Sequence, residues 1–495
     1  MEVLPGQGEE IFSLHASYHA STITFSLKRR NDMAFKDVIH YLEDHKNEHL
    51  QQLFTFLRIP SISTQPDHKE DILAAVNFLT AELQNLGLHP EVIATQGHPL
   101  IYAQSRQRAE LPTLLFYGHY DVQPVDPLEL WDSPPFEPRI EDGWIYARGA
   151  SDDKGQMYSH IKALEGFFRT GTELPVNIKC IFEGEEESGG RSIYTYTREN
   201  PAKLACDMVV VSDTHLYDEQ TPAICTSLRG LCYLEMKVTG PAIDLHSGIF
   251  GGAVRNPADA LCRIIARLKD EDGRILIPGF YDAVISASED VRQEITQLNH
   301  SDDRVKEETG VSAVFGESGY SSLERMWIRP TCDVNGIWSG YTGQGAKTVI
   351  PAVATAKVSM RLVPNQDPAT VKAAFIAYVT DICPTGVLVE FEDFGGAKPV
   401  LLPRDSALIR AGKTAIEKGF GKKAIFMGDG GSIPIVGTFQ ESLQVPVLLL
   451  GYGLPIDNIH SPNERFKLSH YYQGIQTTAL LMNEIAALKG TPEKP

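Results

Sequence analysis

Acidic residues and histidines follow apolar segments at several places in this sequence. The first place is Gly118-His119-Tyr120-Asp121, directly after the apolar run 114–117. Because the carboxyl end of a strand in an α/β sheet presents side chains to a ligand crevice, His119 is a candidate metal ligand. Asp121 can accept a hydrogen bond from the other imidazole nitrogen, which fixes the tautomer and makes the ring more basic. A histidine near a strand end is more often structural, so this motif needs further support.

The second place is the glycine-bounded polar turn 148–155, which leads into a helical pattern at 157–168. Consecutive aspartates are usual at a capped helix start, and this explanation accounts for one of Asp152 and Asp153 but not readily for both. A carboxylate offers two oxygens and can bridge two cations. Asp152 is therefore the candidate bridging ligand.

The third place is the acidic segment 183–187, which has four carboxylates in five positions. Such a segment is normally a solvated acidic loop. Here it follows the apolar segment 176–182, and repulsion at the mouth of a buried strand would be costly without a cation. We therefore expect a metal site, with Glu187 as a ligand. Glu186 could take a proton from water, since a bound divalent ion brings the pKa of its water toward neutrality.

Two later positions complete the set of candidate ligands. Asp213 follows the apolar run 208–211, and His460 lies in the segment 458–464. Each is unremarkable alone, but a parallel sheet would gather these separate loops at one edge. Imidazole and carboxylate donors suit two cations such as Zn²⁺, Mn²⁺ or Co²⁺ better than a thiolate-type site would. The predicted ligands are His119, Asp152, Glu187, Asp213 and His460.

An α/β sheet covered on both faces would position these residues. Apolar residues recur at helical spacing in 35–57 and 72–86, which predicts helices there. Short apolar runs predict buried strands that alternate with helices. These runs are 114–117, 176–182, 208–211 and 445–450.

The order of elements changes between residues 226 and 394. The pattern there is strand, helix, strand, strand, helix and strand, which is typical of a ferredoxin-like α+β domain. The stretch 270–330 interrupts this pattern and is expected to hold extra helices. Because the strand at 445–450 is needed to complete the first sheet, we predict an inserted domain at 226–394. The catalytic domain then consists of 33–225 and 395–495. Residues 1–32 form an N-terminal extension, and Met33, directly after it, is an alternative start.

Composition excludes several classes of function. The chain has 45 basic and 64 acidic residues, a formal net charge of -19, which disfavours nucleic-acid binding. The seven cysteines are widely spread and form no C-x-x-C pair, so a reducing compartment fits best. An apolar run of about 18 residues, which a membrane-spanning helix needs, does not occur. We expect a cytoplasmic protein that binds neither nucleic acid nor membrane.

The chain resembles the M20 metallopeptidases, in particular their carnosine dipeptidase-like, cytosolic non-specific dipeptidase branch. The resemblance covers about residues 35 to 485. It depends on motifs that occur in the order typical of the family. These are His119-Tyr-Asp-Val-Gln-Pro124, Arg148-Gly-Ala-Ser-Asp-Asp-Lys-Gly155, Glu183-Gly-Glu-Glu-Glu-Ser-Gly189, Asp244-Leu-His-Ser-Gly248 and Gly430-Gly-Ser-Ile-Pro434.

The resemblance implies a dinuclear metal site with divided roles. One metal would be bound by His119, Asp152 and Asp213, and the other by Asp152, Glu187 and His460, with water between them. Glu186 would be the general base and later the proton donor to the leaving amine, and Asp121 would orient His119. Zn²⁺ is the leading candidate, with Mn²⁺ or Co²⁺ as alternatives. The implied fold is a mixed, mostly parallel sheet of the zinc-peptidase type with an inserted ferredoxin-like lid and dimerisation domain.

The resemblance also implies residues that contact substrate. His246 would reach into the partner's site of a homodimer and steady the oxyanion, although the H-S-G turn could simply order its loop. Arg361 matches the position that grips a substrate carboxylate, a function suited to its bidentate fork; an arginine on a strand is otherwise usually a surface ion-pair partner. Thr348, within the segment 347–351, and Ser432 match loops that contact substrate.

Three functional hypotheses follow. The leading one is a dipeptidase for short peptides with a free C-terminal carboxylate, favoured by branch resemblance in 122–124, 248–252 and 347–351. The alternative keeps the chemistry and changes the substrate, giving an N-acyl amino acid deacylase, a desuccinylase or a carbamoyl-amide hydrolase. A remote alternative is a catalytically silent binding protein on the same fold. Silent relatives would be expected to lose ligands or the base, whereas every such position is filled here.

Overall fold

The computed structural model describes residues 33–488. The predicted extension 1–32 lies outside the described residues. The helices before the inserted domain are α1 (33–44), α2 (Lys46–Leu57), α3 (Lys69–Asn85), α4 (Lys154–Thr170), α5 (Ser192–Glu199) and α6 (Pro201–Leu204). The strands of this part are β1 (Glu91–Ile93), β2 (Leu100–Gln104), β3 (Thr113–His119), β4 (Arg139–Glu141), β5 (Trp144–Tyr146), β6 (Asn177–Glu183), β7 (Met208–Val211) and β8 (Ala223–Leu228).

The inserted segment and the remainder of the chain complete the molecule. The insert contains β9 (Gly230–Thr239), β10 (Leu245–His246), α7 (Ser247–Phe250), α8 (Pro257–Ala266), α9 (Glu289–Gln297), α10 (Asp302–Thr309), α11 (Ser322–Trp327), β11 (Thr331–Ser339), β12 (Val349–Ile350), β13 (Val353–Leu362), α12 (Pro368–Ile382) and β14 (Leu388–Ala397). The last part contains β15 (Val400–Leu401), α13 (Ala407–Phe420), β16 (Ile425–Asp429), α14 (Pro434–Leu443), β17 (Val447–Leu449), β18 (Arg465–Lys467) and α15 (Leu468–Ala486).

A nine-stranded mixed sheet forms the larger domain. Its order is β1-β2-β6-β3-β7-β17-β8-β15, with β16 beside β8. The central strands β6, β3, β7 and β17 are parallel, whereas β1, β2 and β15 pair antiparallel. Strand β17 lies next to β7, although the whole insert separates them in sequence. The prediction of a mixed α/β sheet that needs its last strands from the end of the chain is confirmed.

Two hydrophobic cores cover the faces of this sheet. Helices α2, α4, α13 and α15 pack on one face, and α5, α6 and α14 pack on the other. Helix α4 is buried over most of its length, and it ends at Gly171 in the left-handed conformation (φ 65°), which a residue without Cβ adopts readily. Since the carboxyl ends of the parallel strands stay uncovered, their loops are free to carry chemistry.

The inserted domain has the predicted ferredoxin-like arrangement. Its antiparallel sheet has the order β11-β13-β9-β14, and α8 and α12 pack on one face with their own hydrophobic core. The stretch 270–330, which interrupts the ferredoxin-like pattern, contains the three helices α9, α10 and α11. Apolar residues Ile295, Leu323 and Trp327 from α9 and α11 join the second core of the nine-stranded sheet, so this segment packs on the larger domain.

Strand membership refines the predicted limits of the insert. Strand β8 runs through the predicted boundary at 225 and pairs with β16, β15 and β17 of the larger sheet. Strand β14 continues past residue 394 and pairs with β9 as far as Ala397. We therefore propose domain limits near residues 229 and 398. Among residues 33–488, no helix is both long and apolar enough to span a membrane.

Candidate active site

His119 ends the central strand β3 and is fully buried. Its Nδ1 lies 3.1 Å from the backbone oxygen of Asp121 and 3.5 Å from the carboxylate Oδ1 of the same residue. A proton on Nδ1 therefore leaves the lone pair on Nε2, which lies 3.0 Å from Asp152 and 3.9 Å from Asp213. The Asp121 carboxylate also accepts a hydrogen bond from the backbone N–H of Glu187 at 3.1 Å. Asp121 thus contacts the candidate ligand His119 and also the loop that carries the candidate ligand Glu187.

Asp152 lies between two groups of candidate ligands. The first group is His119, Asp152 and Asp213, and the second is Asp152, Glu187 and His460; within each group the ligand atoms lie within 4.8 Å of one another. His460 Nε2 lies 3.0 Å from Oδ2 of Asp152 and 3.3 Å from Glu187. The two oxygens of Asp152 therefore face different imidazoles. All five candidate ligands, which come from widely separated parts of the chain, lie together.

The donor set fits two divalent cations. Nε2 of His119 is fully buried and has no hydrogen-bond partner of suitable geometry among the described residues, although Asp152 is close. Hydrogen bonds to Asp152 and Glu187 raise the pKa of His460 to about 10. Burial opposes ionisation of Asp152, but the nearby imidazoles of His119 and His460 lower its pKa below the usual value. Three carboxylates meet two imidazoles in these groups, and cations would neutralise the excess negative charge.

Glu186 lies on the loop after β6, beside Glu187. Its side chain lines the same cavity as Asp152, Asp213 and His460. Burial, and then the neighbouring carboxylate of Asp213, raise the pKa of Glu186 well above its usual value. A carboxyl group with a raised pKa holds a proton more readily than an exposed glutamate does, which is compatible with the predicted role of Glu186 in proton transfer.

Glu464 is an important residue that the sequence analysis did not single out. Its fully buried carboxylate accepts hydrogen bonds from the backbone N–H groups of Gly149, Ser151 and Asp152, at 2.9 to 3.1 Å, and pairs with Arg148 at 2.8 Å. It therefore connects the loop of His460 to the loop of Asp152. His460 itself has φ 59°, an uncommon backbone conformation for a non-glycine residue.

The cavity beside the candidate ligands has a volume of about 460 Å³ and contains a half-buried arginine. Arg361, on β13 of the insert, donates to the hydroxyl of Ser432 at 2.9 Å, and this hydroxyl donates to the backbone oxygen of Arg229. Arg361 forms no ion pair within residues 33–488. Burial lowers its pKa from the usual value, and its guanidinium is available to an anion inside the cavity.

A histidine and an aspartate, also absent from the sequence analysis, line the same cavity. Nε2 of His215 lies 3.2 Å from Asp429, and its Nδ1 faces the backbone oxygen of Leu216 at 2.7 Å. Both ring nitrogens therefore face acceptors. Burial opposes protonation of His215, but Asp429 raises its pKa above the usual value. His215 lies two residues after Asp213, so its position after β7 is the signal that could have found it.

His246 and Thr348 lie outside this cavity. Both belong to the small β10–β12 region of the insert, where the backbone oxygen of Thr348 accepts from Ser247 at 3.2 Å. The ring of His246 accepts a hydrogen bond from the N–H of Gly248, as in a local turn, and the residue is exposed. Neither residue lines the cavity of its own chain. The structure therefore gathers the ligands, Glu186, Asp121, Arg361 and Ser432, but not these two.

Comparison with known proteins accounts for this arrangement. Residues 115–484 match the model of peptidase family M20/M25/M40. The chain belongs to this family. This M20 metallopeptidase is 31% identical over 472 residues to Cys-Gly metallodipeptidase dug1 of Schizosaccharomyces pombe, covering 92% of this chain and 99% of the relative. It is 29% identical to the Beta-Ala-His dipeptidase of Homo sapiens, covering 91% and 92% of the two chains.

Solved structures extend the likeness to the whole fold. Human carnosine dipeptidase 1 aligns with the M20 chain at a TM-score of 0.81 and 29% identity, covering 92% of this chain and 99% of that one. The M20 metallo-carboxypeptidase Sso-CP2 from Sulfolobus solfataricus aligns at a TM-score of 0.80 and 34% identity, covering 89% and 100%. A hydantoinase/carbamoylase amidase from Burkholderia multivorans, at 14% identity and a TM-score of 0.54, shares the fold alone. The predicted family, fold and enzyme class are confirmed.

Proposed function

We propose that this protein hydrolyses the amide bond of dipeptides or short peptides that have a free C-terminal carboxylate. The observation that carries the proposal is Arg361, which lies in the cavity of the candidate metal ligands without an ion pair among the described residues. A guanidinium inside a cavity binds a carboxylate bidentately. Relatives named as dipeptidases and as a metallo-carboxypeptidase act on substrates that have such an end, which supports the same substrate class.

We assign the metals to the two groups that share Asp152, with Zn²⁺ as the leading candidate and Mn²⁺ or Co²⁺ as alternatives. When bound, two such ions would polarise the scissile carbonyl and lower the pKa of the attacking water. Glu186 takes the proton of the attacking water on its carboxylate and then gives it to the leaving amine. Asp121 keeps the proton of His119 on Nδ1, so that Nε2 stays free to ligate.

A substrate panel tests this function. Metal-stripped protein is reconstituted with Zn²⁺, Mn²⁺ or Co²⁺ and assayed on dipeptides, on the same dipeptides with amidated C-termini, and on N-acetyl, N-succinyl and N-carbamoyl amino acids. We expect turnover of the free dipeptides and little turnover of the amidated ones. Exclusive turnover of the acyl or carbamoyl compounds would make the chain a deacylase or carbamoyl-amide hydrolase. No turnover with any metal would favour the silent binding protein.

We also propose a homodimer that forms through the inserted domain. Strand β11 is an edge strand of the insert, and its Ile337 and Trp338 are about half exposed. Ile249, beside His246, is 71% exposed. An edge strand with exposed apolar side chains is a site for association. Dimerisation would also give His246 and Thr348 a site to act in, since both lie outside the cavity of their own chain.

A cytoplasmic location is proposed on the chemistry of the cysteines. All seven are free, and four of them are buried at strand positions. Thiols that stay unpaired suit a reducing compartment.

A further inference from the structure

A second cavity lies behind the loop that carries Glu186 and Glu187. It has a volume of about 540 Å³ and is lined by residues 93–97, which follow β1, by Glu185, and by residues at the start and along one side of α5. The catalytic cavity and this one share no lining residue. The segment 184–190 separates them, because Glu187 and Glu186 belong to the candidate active site and Glu185 lines the second cavity.

Glu185 is a buried carboxylate without a partner. The residue is 9% exposed, its Oε2 is fully buried, and neither carboxylate oxygen accepts a hydrogen bond from any described residue. The side chain runs between Gly97 and Gly190, so closely that a Cβ on either glycine would collide with it. Burying a carboxylate without donors is unfavourable unless a cation or donor compensates it. Backbone flanks the side chain on both sides and the residue also lines the cavity, so a group in the cavity can supply that donor.

The lining of the cavity also contains groups that favour an anion. The exposed Arg191 lines it and forms no ion pair within residues 33–488. Helix α5 begins at Ser192, also in the lining, and its N-terminus has no side-chain cap. The first N–H groups of a helix and a nearby guanidinium together attract a carboxylate. Glu185 and Arg191 do not pair with each other, although both face this cavity.

We propose that this second cavity binds the zwitterion of a free amino acid or short peptide. The ammonium group would donate to the Glu185 carboxylate, and the carboxylate group would lie against Arg191 and the N-terminus of α5. Because Glu185 precedes Glu186 and Glu187, an occupant contacts the loop that carries the base and a candidate ligand. The site is thus suited to sense amino acids, which are also the products of peptide hydrolysis. It does not depend on the proposed function, since binding can be measured without turnover.

Glycine binding to the metal-loaded enzyme tests the proposal. Glycine is titrated by NMR into wild type and into the Glu185→Gln, Arg191→Met and Arg361→Met variants, with methylammonium and acetate as half-probes. We expect two binding events in wild type. Arg361→Met should remove only the event in the catalytic cavity, whereas Glu185→Gln should weaken the other event roughly 10- to 100-fold. Methylammonium binding in the second cavity should depend on Glu185, and the acetate binding that remains in Arg361→Met should depend on Arg191.

Matched controls keep the result independent of folding. Glu70→Gln and Arg106→Met change exposed residues of the same types, and they should leave both events unchanged. The melting temperature of each variant shows whether the fold is retained. If Glu185→Gln does not fold, Arg191→Met tests the site through its positively charged group. A single glycine event that Arg361→Met abolishes would overturn the proposal. So would a second event that neither Glu185→Gln nor Arg191→Met alters.

Discussion

Glu186 is the proposed general base, and replacing its carboxylate tests this role. Its raised pKa and its place in the cavity suit proton transfer, and it belongs to neither ligand group. We therefore predict that Glu186→Gln lowers kcat by about 100- to 10,000-fold, the usual contribution of a positioned base, while two metals stay bound. Dipeptide kinetics and metal analysis of the purified variant measure the two effects. Unchanged kcat would refute the role, and loss of metal would make Glu186 a ligand instead.

Arg361 should act on substrate binding through one interaction. Replacing it with methionine removes a charged bond to the substrate carboxylate, which contributes about 2 to 3 kcal/mol. We predict that Arg361→Met lowers kcat/KM for free dipeptides roughly 30- to 150-fold, with little effect on the slow turnover of C-terminal amides. Arg361→Lys keeps the charge but not the planar fork, so its kcat/KM for free dipeptides should lie between those of wild type and Arg361→Met. An equal loss on both substrate types would mean that Arg361 supports the fold of the cavity.

At the scale of elements, Glu464 joins two loops that each carry a candidate ligand. Its carboxylate holds the backbone of 149–152 and pairs with Arg148. Glu464→Gln keeps the shape but loses the charge and one acceptor, so Asp152 and His460 should no longer be held in register. We predict a 10- to 100-fold weaker metal affinity, roughly, as is usual for groups that orient ligands. Titration of metal into the stripped variant measures it, beside Glu110→Gln as an exposed control.

Three of the candidate ligands could be predicted because they lie at or after the ends of apolar strands. His119 ends β3, Glu187 and Asp213 lie on the loops after β6 and β7, and parallel strands end at one edge of a sheet. Glu464 could not be found in this way. It lies in the same segment as His460, but its partners are backbone N–H groups more than 300 residues away. Spacing along the chain does not encode such a contact.

The packing of helices α9 and α11 is another feature that the sequence did not predict. The sequence predicts extra helices in 270–330, but not the domain on which they pack. Ile295, Leu323 and Trp327 join the core of the nine-stranded sheet instead of the core of the insert. The domain limits that we propose differ from the predicted ones for a related reason, since β8 and β9 form a nearly continuous extended run and only their pairing partners separate them.

At the scale of the whole molecule, buried histidines should make the fold sensitive to acid. Burial lowers the pKa of His160 to about 3, and the pKa of His49 and of His470 to about 4. In the unfolded chain these groups take up protons below about pH 6.5, whereas in the folded chain they stay neutral until far lower pH. Their contribution to stability is therefore intact above pH 6.5 and is lost as the pH falls below it.

His160 allows a direct measurement of this effect. Its ring stacks on Phe116 and forms a hydrogen bond with Thr478, in the hydrophobic core between α4 and the nine-stranded sheet. Between pH 7.5 and 5.5 it should account for roughly 1 kcal/mol of the lost free energy of unfolding. We predict that His160→Gln, although less stable at pH 7.5, loses less stability than wild type over this range. Urea unfolding with a chelator present removes any contribution from metal release, and the exposed His40→Gln variant should keep the wild-type pH dependence.

The last prediction concerns the assembly, because His246 lies outside the cavity of its own chain and we propose that it acts in a partner's site. We predict that His246→Asn and Glu186→Gln homodimers are both nearly inactive, but that mixing them restores activity. Half of a randomly mixed population is heterodimeric, and each heterodimer has one site with an intact Glu186 from one chain and an intact His246 from the other. About a quarter of wild-type activity per site should therefore return. If His246 acted within its own chain, neither site of the heterodimer would be complete and mixing would restore nothing. Glu186→Gln mixed with Arg361→Met tests the logic: both residues line the cavity of a single chain, so that pair should stay inactive.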